Sequence, residues 1–216
     1  GITGPDAETP MKIGPGVGDI FPATLAAFGI MSAVFEARGS GQGQFMDVAM
    51  YDGVLAMCER IVYQQSYTGS SPVPEGNHHP ILCPFGIFDA SDGQVTIGCP
   101  RDGFWTQLVG IMDRPELATD PRFATNNARL ANQTETVGLV EGWARGRTKA
   151  EIAEALDGKV PFGPVNTAAE ILADPHVKVR EMLAEIEHPG SGTPVTVAGT
   201  PIRMTRTQGG VRSRAP

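Results

Sequence analysis

Residues 20–38 read IFPATLAAFGIMSAVFEAR and carry no charge before Glu36. An uncharged run of this length predicts a helix that is buried on most of its sides. Gly18 and Asp19 come just before the run, and Pro22 falls in the predicted first turn, where a proline is tolerated. The sequence therefore predicts Asp19 at or next to the N-cap of a largely buried helix.

The residues after this helix predict a strand and a second helix. Residues 39–43 (GSGQG) end the first helix, and residues 44–50 (QFMDVAM) alternate polar with apolar side chains as a strand does. A second helix is predicted over about residues 51–65. An α-β-α order around an apolar helix favours an α/β layer for residues 1–66.

A linker is predicted after this first part. Residues 66–84 (SYTGSSPVPEGNHHPILCP) contain four prolines and two glycines, a composition typical of a connection between domains. We therefore assign residues 67–84 to a linker and residues 85–184 to a smaller α+β domain. Residues 185–216 are predicted to form a separate segment, interrupted by glycine and proline, that leads back to the first part of the chain.

The predicted α+β domain opens with a β-hairpin. Residues 85–90 and 94–99 flank Ser91-Asp92-Gly93, a favourable turn sequence. Four helices and one strand are predicted to follow: helices near 103–112, 126–145, 149–157 and 168–173, and a strand at 160–165. Thr148 and Glu151 are predicted to form a capping box at the third of these helices.

The composition excludes several classes of protein. With 216 residues and 41% hydrophobic residues, the chain can bury a continuous core, which argues against disorder. Its 24 acidic and 17 basic residues argue against a nucleic-acid surface. No apolar run reaches the roughly 18–20 residues of a bilayer span, and no basic segment with an apolar run opens the chain. Neither a membrane segment nor an export signal is predicted.

The cysteines and histidines predict neither disulfides nor a metal site. Cys58, Cys83 and Cys99 are an odd number without CxxC spacing, which favours free thiols in a reducing cytoplasm. His78-His79 and Cys83 do not form a convincing metal site, because adjacent histidines rarely point to one centre and no fourth ligand is suitably spaced. A polar loop is the favoured interpretation of this segment.

Asp19 has two interpretations on pattern alone. Aspartate is a favoured helix cap, so its side chain is expected to accept a hydrogen bond from the first turn of the helix. The second interpretation is a carboxylate nucleophile, because the helix dipole favours its anionic form and the preceding glycines leave room for a substrate. The pattern by itself leaves both interpretations open.

A longer set of spaced motifs accompanies Asp19. Gly18-Asp19 and the apolar helix are followed, in order, by AR at 37–38, GQGQ at 41–44, DV at 47–48, GN at 76–77, HP at 79–80, DG at 92–93, DPRF at 120–123 with Asn126 and Arg129, GPVN at 163–166, DPH at 174–176, HP at 188–189 and PI at 201–202. Together these motifs resemble the family III CoA-transferases, the CaiB/BaiF family. That family includes formyl-CoA transferases, carnitine CoA-transferases and α-methylacyl-CoA racemases.

The resemblance covers essentially the whole chain and implies its fold. Family members are considerably longer, so the chain is expected to be the central and C-terminal part of one, without the N-terminal half of the same polypeptide. Residues 1–66 would then belong to a large Rossmann-like CoA-binding domain, to which residues 185–216 return. Family members also form interlocked homodimers, which a long linker between two domains permits.

The resemblance also implies a mechanism with an acyl-CoA and a carboxylic acid as small-molecule substrates. The aspartate at the position of Asp19 attacks the donor to give an acyl-aspartyl anhydride, and the CoA thiolate converts this to an aspartyl-CoA thioester. The acceptor acid then reverses these steps. CoA is a substrate in this scheme, and no permanently bound cofactor is implied.

Two further places are implied to lie near the substrate. The Gly76-Asn77-His78-His79 loop is a candidate lid that keeps water from the thioester, with a simple turn at the start of the second domain as the alternative. Arg101 is expected to face the cleft and to favour an anionic group of substrate or CoA. Its alternative is a solvated surface arginine.

Two rival functions stand beside CoA transfer. Racemisation next to a thioester needs paired acid and base groups. Racemases of the family carry a Glu where Arg101 stands here, which favours the transferase. The second rival is a non-catalytic partner subunit of the same fold, against which the family context of Asp19 speaks.

Overall fold

The computed structural model describes residues 2–188, 190, 192–207 and 209–211. Within these residues the chain contains both helices and strands, which confirms a mixed α/β fold. Three helices come first, an α+β unit around a three-stranded sheet follows, and a two-stranded sheet lies towards the C-terminal end.

The first helix, α1 (Val17–Ser40), begins three residues earlier than predicted. Its N-cap is Gly16, and no side chain caps this end. Asp19 is thus the third helical residue, so its predicted place at or next to the N-cap is wrong. Pro22 lies inside the helix and not in its first turn. The helix ends at Gly41, whose φ of 76° lies in the left-handed region that glycine tolerates.

The apolar surface of α1 is largely uncovered. Pro22 is the one buried residue of the helix, and its exposed apolar side chains include Ile20, Phe28, Ile30, Met31, Val34 and Phe35. The predicted burial on most sides therefore does not occur against the described residues. An 18-residue window of α1 has a mean hydropathy of 1.6, so the helix is long and apolar enough to cross a membrane, contrary to the sequence-based expectation. Core helices of globular proteins meet the same criteria.

The strand predicted at residues 44–50 is absent. Residues 42–49 connect α1 to α2 (Met50–Met57) without regular structure. A strand needs a neighbouring backbone to pair with, and among the described residues no strand lies beside this stretch. The second predicted helix is divided in two, because a break at Cys58 separates α2 from α3 (Glu59–Thr68).

The predicted hairpin is confirmed. Strands β1 (Phe85–Ala90) and β2 (Gly93–Gly98) pair antiparallel, with Asp89 opposite Gln94. Strand β3 (Phe162–Val165) pairs antiparallel with the other edge of β2, which gives the order β1-β2-β3.

Helices surround this sheet and enclose the core of the α+β unit. They are α4 (Asp102–Ile111), a 3-10 turn (Pro115–Ala118), α5 (Asn126–Ala131), α6 (Gln133–Ala144) and α7 (Lys149–Leu156). The largest buried apolar side chains are Phe88, Val95, Ile97, Trp105, Leu108, Val109, Phe123, Val140, Ile152 and Leu156. A core of this kind stabilises the unit through the apolar surface that it removes from water.

The observed helix ends agree with the sequence-based prediction in one case and differ from it in another. The capping box of α7 is confirmed: Thr148 accepts a hydrogen bond from the Glu151 N–H at 3.2 Å, and the Glu151 carboxylate accepts one from the Thr148 N–H at 2.7 Å. The single helix predicted over residues 126–145 is instead divided into α5 and α6 at Asn132.

The C-terminal part contains two short helices and a second sheet. Helices α8 (Ala168–Ala173) and α9 (Pro175–Val179) precede strand β4 (Leu183–Ile186), which pairs antiparallel with β5 (Val195–Ala198). Strand β4 crosses the predicted boundary between residues 184 and 185.

Candidate active site

Asp19 presents an exposed carboxylate in the first turn of α1. Its backbone N–H donates to the Gly16 carbonyl at 3.1 Å. The side chain does not cap the helix and has no hydrogen bond or ion pair within the part of the chain that the structure describes. A capping aspartate would bond its oxygens to backbone N–H groups, so this carboxylate is free for another partner.

The surroundings of Asp19 favour an anion and leave it accessible. The N-terminus of a helix carries partial positive charge, which stabilises a carboxylate in the first turn. A Cβ added at Gly14 would meet no atom within 4 Å, and one added at Gly16 would meet only Asp19 Oδ2, at 3.4 Å. The backbone before Asp19 therefore leaves space for a ligand on that side.

The backbone of the predicted lid is attached to the sheet. The His79 N–H donates to the Phe85 carbonyl at 2.7 Å, and the Ile87 N–H donates to the Asn77 carbonyl at 3.1 Å. These bonds hold the loop along β1. Such an attachment agrees with the alternative interpretation of the loop, a simple turn at the start of the second domain. The function of this loop as a lid stays a prediction.

The two histidines of this loop have different neighbours. The His78 ring lies 5.8 Å from the Phe88 ring, and its Nδ1 is buried without a hydrogen-bond partner among the described residues. Burial lowers the pKa of His78, and the charge of Glu141 opposes this shift. Burial thus favours the neutral form of the His78 ring, which makes this residue a poor cation for an anionic substrate.

His79 lies between the two parts of the chain. Its ring stacks on Phe85 at 5.2 Å. Burial lowers the pKa of His79, the nearby Arg60 of α3 adds to this shift, and Glu75 opposes it. Gly76, at the start of the loop, donates its N–H to the Gly4 carbonyl at 3.0 Å. The loop thus contacts both the N-terminal part and the α+β unit.

Arg101 is exposed at the N-cap position of α4. Within the described residues its side chain makes no hydrogen bond or ion pair, so both predicted interpretations fit it. No hydrogen bond, ion pair or ring contact joins Asp19 to Arg101 or to residues 76–79 in the described chain. Asp19 therefore shares none of these interactions with the other predicted site residues.

Sequence reasoning missed the structural function of two motif residues. Arg129 is fully buried and donates to the Cys83 carbonyl at 2.6 Å, the Phe123 carbonyl at 2.8 Å and the Asp102 carboxylate at 2.8 Å. Asn126 accepts the Cys83 N–H at 3.0 Å. The two side chains fasten Cys83, near the end of the predicted linker, to α5. Their spacing near DPRF was visible in the sequence, but the partner that they share, Cys83, lies more than 40 residues away along the chain.

The described part of the chain offers Asp19 no metal site. The described residues contain no group of three or more His, Cys, Asp or Glu side chains that could hold a metal ion. An apolar cleft of about 610 Å³ lies beside α3, and a more polar cleft of about 430 Å³ lies beside β4 and β5. Neither cleft includes Asp19, so the carboxylate lies on an open face of α1.

Comparison with known proteins identifies the family. The sequence profile described as CoA-transferase family III matches residues 1–216. The chain belongs to CoA-transferase family III. This family III chain is 43% identical over 215 residues to a protein named succinyl-CoA:mesaconate CoA-transferase from Haloarcula marismortui, with 100% of the chain and 54% of the relative covered.

A second relative and a solved structure agree with this assignment. The family III chain is 36% identical over 217 residues to the Succinyl-CoA--D-citramalate CoA-transferase of Chloroflexus aurantiacus, with 100% of the chain and 54% of the relative covered. The crystal structure of a CaiB/BaiF family protein from Brucella suis matches with a TM-score of 0.76 and 33% identity, covering 95% of this chain and 53% of that one. The chain spans about half the length of the curated relatives it matches.

Proposed function

We propose that the protein containing this family III chain moves CoA from an acyl-CoA donor to a carboxylic acid, with Asp19 as the nucleophile. The observation that carries the proposal is the exposed Asp19 carboxylate, which has no hydrogen bond or ion pair in the described residues and lies in the first turn of a 24-residue helix. Family membership supplies the reaction class, and the free carboxylate supplies the group that such a reaction needs.

The reaction proceeds in steps that need no oxidant, metal or net proton. An Asp19 oxygen attacks the acyl carbon of the donor, and the CoA thiolate leaves, which gives an acyl-aspartyl anhydride. The thiolate attacks the Asp19 carbonyl carbon, the donor acid leaves as a carboxylate, and an aspartyl-CoA thioester forms. The acceptor carboxylate attacks this thioester and expels CoA, and the thiolate then attacks the acceptor acyl carbon and frees Asp19.

This route suits the chemistry of a carboxylate. A carboxylate is a weak nucleophile, but the anhydride and the thioester both keep the Asp19 carbonyl activated, so one difficult exchange becomes several easier ones. The helix N-terminus favours the anion that attacks and the anion that is released. Water has to be excluded while the thioester exists, and the 76–79 loop is proposed to contribute to that exclusion.

The substrates proposed are a succinyl-CoA donor and a small dicarboxylic acid acceptor. Both relatives described above are named as succinyl-CoA transferases, with mesaconate or D-citramalate as the second substrate. Because such substrates carry a carboxylate remote from the reacting one, a cation near the cleft would favour them. Arg101 is the cation that we propose for this function.

The wider setting follows from the family. We propose that residues 1–66 and 185–216 belong to a Rossmann-like CoA-binding domain and that two copies of the whole protein form an interlocked homodimer. The enzyme is proposed to be cytoplasmic and to work without a permanently bound cofactor, metal, nucleic acid or membrane. The free, unbridged cysteines of the described chain are compatible with a reducing compartment.

The decisive experiment replaces the nucleophile in the full polypeptide. Asp19→Ala should lower the rate of CoA transfer from succinyl-CoA to mesaconate by roughly 10³-fold or more, as the loss of a covalent nucleophile does. Hydroxylamine added to wild-type enzyme with succinyl-CoA should convert the thioester to a hydroxamate. Peptide mass spectrometry should locate that hydroxamate at Asp19.

Asp52 offers a matched control. It is an exposed aspartate in the first turn of α2, so Asp52→Ala removes a similar favourable interaction with a helix N-terminus without removing the nucleophile. Asp52→Ala should retain transfer within a few-fold. Full activity in freshly prepared Asp19→Ala protein would refute the proposed mechanism.

The same measurements separate the rival functions. A racemase would exchange the proton next to the thioester and would form no hydroxamate at Asp19. A non-catalytic partner subunit would show neither reaction, with or without the substitution. The presence of Arg101 where racemases carry an acidic residue supports the transferase.

A further inference from the structure

The contact between α1 and α2 is centred on two residues. Pro22 is the one buried residue of α1, and Gly53 is the one buried residue of α2. A Cβ added at Gly53 would lie 2.6 Å from Pro22 Cγ, 3.1 Å from its Cβ and 3.3 Å from its Cα. The backbone of α2 therefore rests directly on the proline ring, and any side chain at position 53 would push the helices apart.

Asp19 lies three residues before Pro22, which is the spacing of neighbours on one helix face. Proline has no N–H, so the bond that residue 22 would donate to the Gly18 carbonyl is missing. The turn that carries Asp19 is thus held to the rest of α1 by one backbone bond fewer than usual. Its position depends correspondingly more on what packs against it.

The same helix α2 also contacts that turn directly. A Cβ added at Gly18 would lie 3.8 Å from Val54 Cγ2, so Val54 lies against the residue next to Asp19. Gly53 and Val54 together support the first two turns of α1 from one side. The nucleophile itself is left free on the exposed surface.

We propose that Gly53 is a positioning residue for Asp19: its missing side chain lets α2 pack on Pro22 and so fixes where the first turn of α1 holds the carboxylate. This inference rests on the proposed function of Asp19. An added Cβ at 2.6 Å from Pro22 Cγ must separate the helices by about 0.8 Å to reach ordinary contact at 3.4 Å. A misplacement of about 1 Å at a reacting group can lower a rate by about 10²-fold.

The test is Gly53→Ala in the full polypeptide, assayed with succinyl-CoA and mesaconate. We expect kcat to fall about 10- to 100-fold while KM for succinyl-CoA changes less than about threefold, because the substituted residue does not bind substrate. The single-turnover rate constant for forming the hydroxylamine-trapped thioester at Asp19 should fall by the same factor. A rate constant, unlike an amplitude, does not depend on how much of the protein is folded.

Gly39→Ala is the matched control. Gly39 is a helical glycine of α1, as Gly53 is of α2, and a Cβ added at Gly39 would meet no atom within 4 Å. Both substitutions raise helix propensity, so only the contact with Pro22 distinguishes them. Gly39→Ala should retain wild-type kcat.

A second variant distinguishes positioning from general packing. Pro22→Ala removes the ring carbon that the new Cβ would approach most closely, so the Gly53→Ala/Pro22→Ala protein should recover at least about tenfold of the lost thioester-forming rate. A Gly53→Ala enzyme as fast as Gly39→Ala would overturn the inference. So would a slow Gly53→Ala enzyme that Pro22→Ala does not improve.

The proposed function can fail separately. If Asp19→Ala keeps its activity, the nucleophile is wrongly assigned and the inference falls with it. If Asp19→Ala is inactive while Gly53→Ala and Gly39→Ala behave alike, the nucleophile stands and only the positioning by Gly53 is refuted.

Discussion

The N-terminal helices α1–α3 and the α+β unit place their apolar side chains in opposite ways. Phe88, in β1, is 1% exposed and belongs to a core that Trp105 and Phe123 share. Phe35, in α1, is 83% exposed. Both regions are rich in apolar residues, but only the α+β unit contains the partners that cover them.

This difference shows that an apolar sequence alone does not bury its side chains. Burial also requires neighbouring elements that pack against them. Burying a Phe or Ile side chain contributes roughly 1.5–3 kcal/mol, and that contribution is missing wherever the side chain stays in water. An apolar surface of this kind marks an interaction surface or a tendency to aggregate. The proposed interlocked homodimer and large domain would provide cover for α1, whereas the α+β unit needs none.

The largest expected effect separates the two regions directly. Phe88→Ala should lower the free energy of unfolding by about 3–5 kcal/mol, because it leaves a cavity in a packed core. Phe35→Ala in the chain of 216 residues should change it by less than about 0.5 kcal/mol, since its ring is already in water. Urea unfolding followed by circular dichroism gives both values.

The same two substitutions, Phe88→Ala and Phe35→Ala, test the difference between the two regions further in the proposed longer polypeptide. There, Phe35→Ala should cost about 2 kcal/mol or more if the proposed domain and dimer cover α1. Equal costs for the two substitutions in the 216-residue chain would show that α1 is covered from within it. The contrast between the regions would then be wrong.

A second effect concerns the buried arginine of the α+β unit. Arg129→Leu should cost about 3 kcal/mol, because it leaves the Cys83 and Phe123 carbonyls without their donor and frees the linker end. Arg60 in α3 is the control from the other region, since it donates a hydrogen bond to Gln64, one helical turn away. Arg60→Leu should cost about 0.5 kcal/mol or less. A small loss in Arg129→Leu, measured by urea unfolding, would show that these bonds contribute little.

The smallest effect is a dependence of stability on pH at the junction between the regions. Burial lowers the pKa of His78 and of His79 below 6.5 in the folded chain. The unfolded chain therefore binds more protons just below pH 6.5, so stability is fully present above pH 6.5 and is lost as the pH falls from there through the lowered pKa values. The change in Tm between pH 7.5 and pH 5.5 should be smaller in a His78→Gln/His79→Gln variant. An unchanged pH dependence would contradict this assignment.

Local sequence signals were sufficient for some elements of the α+β unit. The hairpin follows from a turn sequence at residues 91–93 between two apolar runs, and all of its partners lie within 14 residues of one another. The capping box likewise depends on two residues that lie close together in the sequence, Thr148 and Glu151. Such elements are predictable because the interactions that form them are close in the chain.

Other predictions failed where the secondary structure depends on partners that lie far away in the sequence. Residues 44–50 alternate like a strand, but alternation becomes a strand only beside a pairing partner. The helix breaks at Cys58 and Asn132 carry no proline and only weak local signals. The cap of α1 was misplaced because Val17, Gly18 and Asp19 are weak helix formers, yet the helix extends back past Asp19 to a cap at Gly16.

The sequence by itself determined that the chain is mixed α/β, that its spaced motifs are those of a family III CoA-transferase, and that Asp19 lies near the start of an apolar helix. Motif spacing and residue type can be recognised from the order of the residues alone, without coordinates. Only the tertiary structure decided that Asp19 is free of any capping bond, that Arg129 and Asn126 fasten the linker, and that Gly53 rests on Pro22. The last two facts depend on contacts between residues far apart in sequence, which packing sets and local pattern does not encode. The first depends on where α1 begins in the folded chain.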